Sequence, residues 1–368
     1  NQGWINPDGA AERIVHWLRV HGAQGVKVAA VNGSLITNQV LELTDTILEN
    51  GKPTKSLKDQ IVSAEVYLGA QPIVQALRDG AHIVVTGRIA DPSIFAAPMM
   101  FEFGWGMEDY TRLGFANGIG HLMECGAQVT GGYFADPGRK DVPNPWDLAF
   151  PIAEVNEDGS AIITKLEGTG GIVNTQTIKE QLLYEVHDPS NYITPDVVVD
   201  FSTTKIEELS ENRVMISEIS GKPRTPTLKV SIGCQEGFIG EDMFFYAGEG
   251  ALQRAQLAEK ILRERFKIVG LKAEELRIDY LGLNAIHGDM SPKPAHDPYE
   301  IAVRVAARTS TREEAMKIGR EVDGMAVSGV GMTGKRVPHQ DRTREIIGVW
   351  SSLVDRNAIH PTINFYES

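Results

Sequence analysis

The sequence predicts a mixed α/β protein, in which a layered α/β domain with a largely parallel sheet is followed by an α+β domain. Over the first 125 residues, short apolar segments of strand length alternate with segments of helical period, which is typical of layered α/β structure. The Pro-rich segment 142–145 and the Asp-Gly pair at 158–159 then indicate a boundary followed by locally paired strands. We therefore predict domains at 1–141 and 142–368, in line with about 150 residues per domain.

Helix and strand patterns follow one another through the first predicted domain. Apolar residues recur at helical spacing in 10–20, and Gly22 ends that segment. Segment 26–31 is apolar apart from Lys27, as expected for a strand covered on both faces. The same criteria predict helices at 38–49, 72–78, 91–103 and 112–125, and strands at 61–68 and 81–86.

The second predicted domain combines local strand pairs with long helices. Segments 153–155 and 161–165 flank the Asp-Gly pair and predict a β-hairpin. Segment 251–266 predicts an amphipathic helix, with apolar residues such as Leu257 on one side and charged residues such as Lys260 on the other. Further strands are predicted at 227–233, 237–247, 277–282, 299–307 and 344–349, with a second helix at 312–322.

Composition excludes several classes of protein. The 49 acidic and 36 basic residues give a net charge of −13, which argues against a nucleic-acid partner because an acidic surface repels phosphates. No apolar run approaches the ~20 residues of a membrane-spanning helix. Cys125 and Cys234 are the only cysteines, so we expect neither a disulfide framework nor a paired-cysteine metal site. These features predict a cytoplasmic protein without a membrane partner.

The first candidate for chemistry is the loop 86–92, which joins a predicted strand to a predicted helix. In open α/β sheets, ligands bind beyond the carboxyl ends of the strands, where Arg88 and Asp91 are expected to lie. Arg88 would clamp a carboxylate or phosphate, and Asp91 would act as a base. In the alternative interpretation, Asp91 caps the helix and pairs with Arg88.

A second group of candidates lies at and after the end of predicted helix 112–125. His121 and Glu124 are three residues apart, so both can face one side of that helix. Cys125 is a candidate nucleophile only if a neighbouring positive charge lowers its pKa; otherwise it is a small buried residue. Glu124 and Asp136 are candidates for acid/base chemistry.

A third candidate is the glycine-rich loop after strand 161–165. Consecutive backbone amides in such a loop can form an anion-binding concavity, and Glu167 beside it is a candidate acid or base. Tyr184 lies downstream on a segment rich in titratable groups, for which a solvated charged helix is the alternative. The candidate binding residues of the loop are Gly168, Thr169, Gly170 and Gly171.

The segment 329–336 matches two nucleotide-binding patterns, but in the wrong context. A dinucleotide fingerprint should follow the first strand of a βαβ unit, whereas this segment follows a predicted helix. A phosphate loop needs Ser or Thr after Lys335, and this chain has Arg336. We therefore interpret the segment as a loop that presents Lys335 and Arg336 to a carboxylate or to the phosphates of a coenzyme.

Taken together, these segments resemble the acyclic terpene utilisation protein AtuA family. The resemblance rests on 120–137, 150–155, 164–197 and 227–231, with 6–9 and the 329–336 loop, and thus covers nearly the whole chain. It implies a part in the catabolism of acyclic terpenes such as citronellol and geraniol, or of related branched acids handled as coenzyme A thioesters. Members of the family usually begin with a further segment, so we expect this chain, which starts at Asn1, to lack its first βα segment.

We therefore predict a catabolic enzyme that acts on a branched carboxylate or acyl-coenzyme A through proton transfer with addition or removal of water, or through hydrolysis. Arg88 and the 168–171 loop would bind the anionic end, and Lys335 and Arg336 would close over it. The acid/base candidates are Glu167, Glu124, Asp136 and Asp91.

Two alternatives of other classes stay open. The first is a non-catalytic subunit or scaffold of a degradation complex, against which the many glycine-rich loops argue. The second is a nicotinamide-dependent oxidoreductase, which the loops match poorly. The sequence identifies no cofactor and predicts no metal site, and the moderate size and metabolic context favour a homo-oligomer.

Overall fold

A computed structural model describes residues 4–294, 296–336 and 342–368 and confirms the mixed α/β class. Within those ranges lie eight α-helices and sixteen strands. The helices are α1 Pro7–Val20, α2 Val40–Leu43, α3 Gln71–Arg78, α4 Asp91–Glu102, α5 Tyr110–Met123, α6 Thr175–Leu183, α7 Ala251–Ile268 and α8 Arg312–Ser328. None of these helices is both long enough and apolar enough to cross a membrane.

The strands form four sheets. They are β1 Lys27–Asn32, β2 Ile61–Val66, β3 Ile83–Thr86, β4 Pro151–Val155, β5 Ser160–Lys165, β6 Tyr192–Ile193, β7 Val198–Asp200, β8 Lys205–Ser210, β9 Arg213–Ser217, β10 Ser220–Lys222, β11 Thr227–Ala247, β12 Glu275–Leu281, β13 Glu300–Thr309, β14 Gly334–Lys335, β15 Thr343–Asp355 and β16 Thr362–Glu367. The sheet orders are β16-β1-β3, β10-β7-β6, β4-β5-β9-β8 and β12-β13-β11-β14, and β2 and β15 also pair with β11.

The chain divides into two compact units that are each built from separate segments. The first unit contains 1–58, 63–232 and 350–368, and the second contains 59–62 and 233–349. The predicted border between residues 141 and 142 lies inside the first unit. Domains at 1–141 and 142–368 stay a prediction.

The sheet that contains β1 is mixed rather than largely parallel. β1 pairs with β3 in parallel, but its other neighbour is the antiparallel strand β16. β2 pairs with β11 instead of lying beside β1. The alternation of helices and strands in the sequence predicted only local order, whereas β16 and β11 reach these positions from distant parts of the chain.

Helix α5 is the central helix of the first unit, and its residues from Leu113 to Leu122 are all buried. Two of its glycines are needed for close packing. A Cβ atom at Gly114 would lie 2.3 Å from the carbonyl oxygen of Ser220, and one at Gly120 would lie 2.3 Å from that of Pro92. Because any side chain would collide with backbone, glycine at these positions allows α5 to pack directly on β10 and on the start of α4.

The second unit has the order β11-α7-β12-β13-α8, followed by β14 and β15. β11, β13 and β12 form an antiparallel sheet, and α7 and α8 pack against it around a core. Fully buried members of that core are Phe244, Leu262, Val303, Val305 and Ile318. The amphipathic helix predicted at 251–266 and the helix predicted at 312–322 are thus confirmed as α7 and α8.

Two local predictions differ from the structure. Only Val40–Leu43 is helical in the segment 38–49, because Thr44 is extended and the Asn50-Gly51 turn brings the Ile47 amide to the Lys52 carbonyl at 2.9 Å. The two strands predicted at 227–233 and 237–247 form the single strand β11, in which Gly237 has a φ of 114°. Glycine adopts that conformation without steric cost, so the strand continues through it.

Candidate functional site

A cavity of about 300 Å³ lies in the first unit and contains two of the predicted site residues, Arg88 and Asp91. Polar and charged side chains share its wall with apolar ones, as in most small-molecule sites. It is lined by Tyr67, Arg88, Ala90, Asp91, Pro92, Glu185, Tyr192, Ile193, Thr194, Pro195, Thr225, Thr227, Leu228 and Lys229.

Three neighbouring backbone segments place the charged residues of the cavity wall. The Tyr67 amide donates to the Lys229 carbonyl at 3.0 Å, and the Leu68 amide donates to the Arg88 carbonyl at 3.2 Å. Leu68 also forms a parallel bridge with Ile89. The backbone of Tyr67 therefore lies between those of Lys229 and Arg88, so that strand geometry sets where these three side chains begin.

Arg88 contacts both an aromatic ring and a carboxylate. Its guanidinium carbon lies 4.2 Å from the centre of the Tyr67 ring, and its Nη2 lies 3.2 Å from Oδ2 of Asp91. Asp91 is the first residue of α4, and Ala90, which precedes the helix, has no polar side chain that could cap it. The structure thus shows the pairing of Asp91 with Arg88, and the interpretation of Asp91 as a helix cap stays a prediction.

Glu124 follows α5. It lies close enough to the cavity for the charged residues of the cavity wall to shift its pKa. Burial is the main cause that raises the pKa of Glu124, and the charges of Asp91 and Glu185 raise it further, whereas Arg88 lowers it. The thiol of Cys125 donates to Oε1 of Glu124 at 2.7 Å. Glu124 thus lies near enough to Arg88 and Asp91 for their charges to shift its pKa, although it is not part of the cavity wall.

Cys125 and His121 are poorly suited to direct chemistry. Burial, together with the neighbouring Glu124, raises the pKa of the Cys125 thiol to about 12, so the nucleophilic thiolate is strongly disfavoured. His121 is buried, and that burial lowers its pKa to about 4. Its ring lies 5.0 Å from the ring of Tyr192, so it packs behind the cavity wall.

The segment after α6 supplies a further carboxylate to the wall. Glu185 has a φ of 58°, a left-handed conformation that is uncommon outside glycine, and its side chain lines the cavity. Tyr184 does not line the cavity but lies 5.7 Å from the ring of Tyr133. The charge of Glu185 is the main cause that raises the pKa of Tyr184 to about 12.

Asp196 anchors the loops that form the cavity floor. It is fully buried, and its two oxygens accept hydrogen bonds from the Ala70 amide at 2.8 Å and from the Ser93 hydroxyl at 2.6 Å. Ala70 precedes α3 and Ser93 lies in the first turn of α4, so one carboxyl group links the starts of two helices. Burial raises the pKa of Asp196.

The glycine-rich loop after β5 lies outside the wall of this cavity. The Gly170 amide donates to the Asp147 carbonyl at 2.9 Å and the Gly171 amide to that of Pro143 at 2.8 Å, so both amides are already engaged. The Lys165 ammonium also donates to the Thr169 carbonyl at 2.7 Å. Gly168 and Glu167 are exposed on the same turn.

The three remaining predicted residues also have positions outside the cavity wall. Asp136 is exposed and lies in a turn. Its backbone forms an antiparallel bridge with that of Lys140. Lys335 and Arg336 lie in the second unit, where Lys335 pairs with Asp323 and Arg336 lies 3.5 Å from Glu241.

Sequence reasoning missed Tyr67, Glu185, Tyr192 and Lys229. Tyr67 lies next to the last residue of the predicted strand 61–68, so the rule that selected Arg88 would also have pointed to this region. No local signal points to Lys229, because its partnership with Tyr67 depends on a strand pair across more than 150 residues of chain. Within the described ranges, no group of three or more His, Cys, Asp or Glu residues is arranged to hold a metal ion.

Comparison with known proteins places the chain in a family. The sequence model described as acyclic terpene utilisation family protein AtuA matches residues 1–365 of the 368. No curated protein and no solved structure gives a significant match. Because the match spans nearly every residue, including those that line the cavity, the chain belongs to the acyclic terpene utilisation (AtuA) family.

Proposed function

We propose that this protein is an enzyme that binds a branched carboxylate or its acyl thioester in the cavity and adds or removes water by acid/base chemistry. Family membership implies a part in acyclic terpene utilisation. The observation that supports the reaction type is the convergence of one cation, Arg88, with two carboxyl groups in unlike environments, Asp91 and Glu124. Pairs of titratable groups with contrasting surroundings are typical of acid/base sites.

The environments of the two carboxyl groups suggest their roles. Glu124 has a raised pKa and therefore keeps its proton to a higher pH, as a general acid must. Asp91 is partly exposed and paired with Arg88, which suits a carboxylate base. Arg88 would bind the anionic end of the substrate with its planar fork of donors.

The proposed step conserves atoms and protons. Glu124 gives its proton to one carbon of a carbon–carbon double bond, while Asp91 takes a proton from a water whose oxygen bonds to the other carbon. Exchange with solvent returns both carboxyl groups to their starting states, and the reverse sequence removes water. Glu167 and Asp136 have no part in this scheme, because both are exposed and neither lines the cavity nor is among the charges that shift the pKa of Glu124.

Turnover assays with product masses test this proposal. Purified protein is incubated with branched unsaturated acids and their coenzyme A thioesters, and a gain or loss of one water is the expected change. Glu124→Gln and Asp91→Asn should each lower kcat at least about a hundredfold, since a positioned acid or base contributes that much or more. The exposed turn variant Glu157→Gln is the charge-matched control and should keep full activity.

Three results would contradict the proposal. Release of free coenzyme A without a change in the acyl chain would show hydrolysis instead. Loss of activity in Glu167→Gln but not in Glu124→Gln would assign the chemistry to the glycine-rich loop. Inactivity toward all substrates, with a stoichiometric partner that carries the activity, would favour the non-catalytic subunit.

A further inference from the structure

We infer that the cavity binds the free carboxylate of a branched acid between Arg88 and Lys229, and that the coenzyme A thioester is not its ligand. This inference rests on the proposed function and narrows its substrate class. It also brings Lys229, a residue that no sequence pattern selected, into the site as a second cation.

Two cations share one aromatic platform in the cavity wall. The Arg88 guanidinium carbon lies 4.2 Å, and the Lys229 ammonium 5.3 Å, from the centre of the Tyr67 ring. The backbone hydrogen bonds between these three segments fix the spacing, and cation–π attraction holds both charges against the ring. A carboxylate that enters the cavity therefore meets a fork donor, Arg88, and a point charge, Lys229, both of which lie near the Tyr67 ring.

The ion pair between Arg88 and Asp91 is no obstacle to an incoming carboxylate. Their side chains are 25% and 40% exposed, and ion pairs with such access to solvent contribute little free energy. A ligand carboxylate can therefore take over part of the Arg88 fork at low cost. Asp91 is then released from Arg88 while it stays beside the substrate, where the proposed base is needed.

The charge and size of the cavity favour a free acid over a thioester. Arg88 and Lys229 are balanced by Asp91 and Glu185 in the lining, so the wall has no excess of cations for the phosphates of a coenzyme. A volume of about 300 Å³ is at the lower end for ligand cavities and is enough for a branched acid of terpene size, so the coenzyme part of a thioester would have to lie outside the cavity. The hydrocarbon part would contact the apolar wall residues Ala90, Pro92, Ile193, Pro195 and Leu228.

A free acid also restricts the chemistry. It has no thioester bond to hydrolyse, so the reacting group must be in the hydrocarbon chain. Of the two reaction types predicted for the acid/base site, hydrolysis and the addition or removal of water, only the second is then available.

Titration calorimetry at low ionic strength tests the inference with geranate, geraniol and geranoyl coenzyme A as probes. Geranate should bind, geraniol should bind at least about tenfold more weakly, and geranoyl coenzyme A should bind no more tightly than geranate. Lys229→Gln should weaken geranate binding about tenfold, which corresponds to about 1.4 kcal/mol. The control is Lys205→Gln, which removes the same charge from an exposed ion pair with Glu218 that is no part of the lining.

Failure of geranate to bind, tighter binding of geranoyl coenzyme A, or an unchanged affinity in Lys229→Gln would each overturn the inference. Lys229 is exposed, so its replacement should leave the fold intact, and a circular dichroism spectrum confirms this. Binding and turnover separate the two proposals. Geranate binding of the expected pattern without any turnover would contradict the enzymatic function alone, whereas turnover of a thioester without geranate binding would contradict this inference alone.

Discussion

At the scale of single residues, Glu124 and Cys125 are two neighbours whose pKa values are shifted first by burial and then by the hydrogen bond between them. The thiol donates a hydrogen bond to the carboxyl group. This bond lowers the pKa of Glu124 and raises that of Cys125. A cysteine at a helix end is a candidate nucleophile by sequence, but its negative neighbour has the opposite effect from the positive charge that activation needs. Two properties can therefore be measured: the reactivity of the Cys125 thiol and the effect of Glu124 on the pH dependence of stability.

We predict that Cys125 reacts slowly with iodoacetamide. A rise in its pKa from 9.0 to about 12 lowers the thiolate fraction at neutral pH roughly a thousandfold. At alkaline pH, where Glu124 is ionised, Glu124→Gln should speed up the alkylation, because it removes the carboxylate charge and changes the acceptor of the thiol hydrogen bond, both of which disfavour the thiolate beside the larger effect of burial. Mass spectrometry of the peptide that contains Cys125 measures the rate, and Glu157→Gln is the control. A fast reaction in the unmodified protein would contradict the prediction.

We also predict that Glu124 makes stability depend on pH. Its pKa is raised in the folded protein, so the folded state binds the proton more tightly than the unfolded state does. Its contribution is fully present below the unfolded pKa, near the ordinary value of 4.5, and is lost as the pH rises through the folded pKa. Glu124→Gln should therefore lose less free energy of unfolding between pH 4 and pH 8 than the unmodified protein does.

Urea unfolding at several pH values measures this difference. The other buried carboxyl groups with raised pKa values, such as Asp196, are present in both proteins and cancel in the comparison. Glu157→Gln should follow the unmodified protein. Parallel curves for the unmodified protein and Glu124→Gln would show that Glu124 titrates normally.

At the scale of elements, the packing of α5 decides where the candidate site forms. Gly114 and Gly120 let this helix approach β10 and α4 closely, and Glu124 follows directly at its C-terminal end. The anchor of Asp196 on Ala70 and Ser93 fixes the starts of α3 and α4 in the same region. The site thus depends on helix positions that are set by small residues and one buried carboxyl group.

We predict opposite effects for two Gly→Ala substitutions in helices. In exposed helix interiors this change stabilises by about 0.5–1 kcal/mol, and Gly324 of α8, which has no neighbouring atom within 4 Å, should show that gain. Gly114→Ala should instead lower the free energy of unfolding by about 1–3 kcal/mol, because its Cβ collides with the Ser220 backbone. Urea unfolding measures both, and a gain at Gly114 would contradict the described packing.

At the scale of the whole molecule, the two ends of the chain meet in one sheet. β16 pairs with β1 along six residues, from Thr362 opposite Asn32 to Glu367 opposite Lys27. β16 is thus part of the first compact unit although more than 300 residues separate it from β1. The sheet β16-β1-β3 of the first unit is therefore complete only when residues 362–367 are paired with β1.

We predict that removal of residues 356–368 loosens the first unit selectively. The deletion removes β16, so β1 loses the hydrogen bonds on one edge, and amide exchange in Lys27–Asn32 should become faster. Helices α7 and α8 of the second unit should keep their protection. Hydrogen exchange read by mass spectrometry tests this, with Ser368→Ala as the control that removes one hydrogen bond to Val26. Unchanged exchange in β1 would contradict the predicted role of β16.

Local pattern was enough for the elements that are regular and amphipathic. The hairpin across Asp158-Gly159, the helices α7 and α8, and the loop with Arg88 and Asp91 all follow from spacing and turn chemistry that act over a few residues. Where a local pattern is ambiguous, the prediction was wrong. Segment 38–49 was predicted as one helix, but its apolar residues lie partly in the short helix α2 and partly in a turn. The family was also recognisable from the sequence, and the match over 1–365 confirms it.

By itself, then, the sequence determined the α/β class, the family and two of the residues in the cavity wall. Only the tertiary structure decided that Glu124 lies within electrostatic reach of Arg88 and Asp91, that Tyr67 and Lys229 line the same cavity as Arg88, and that the 168–171 loop lies outside its wall. The physical reason is that strand pairing and helix packing depend on contacts between distant segments. Lys229 meets Tyr67 through one backbone hydrogen bond across the sheet, and no periodicity around either residue encodes that contact.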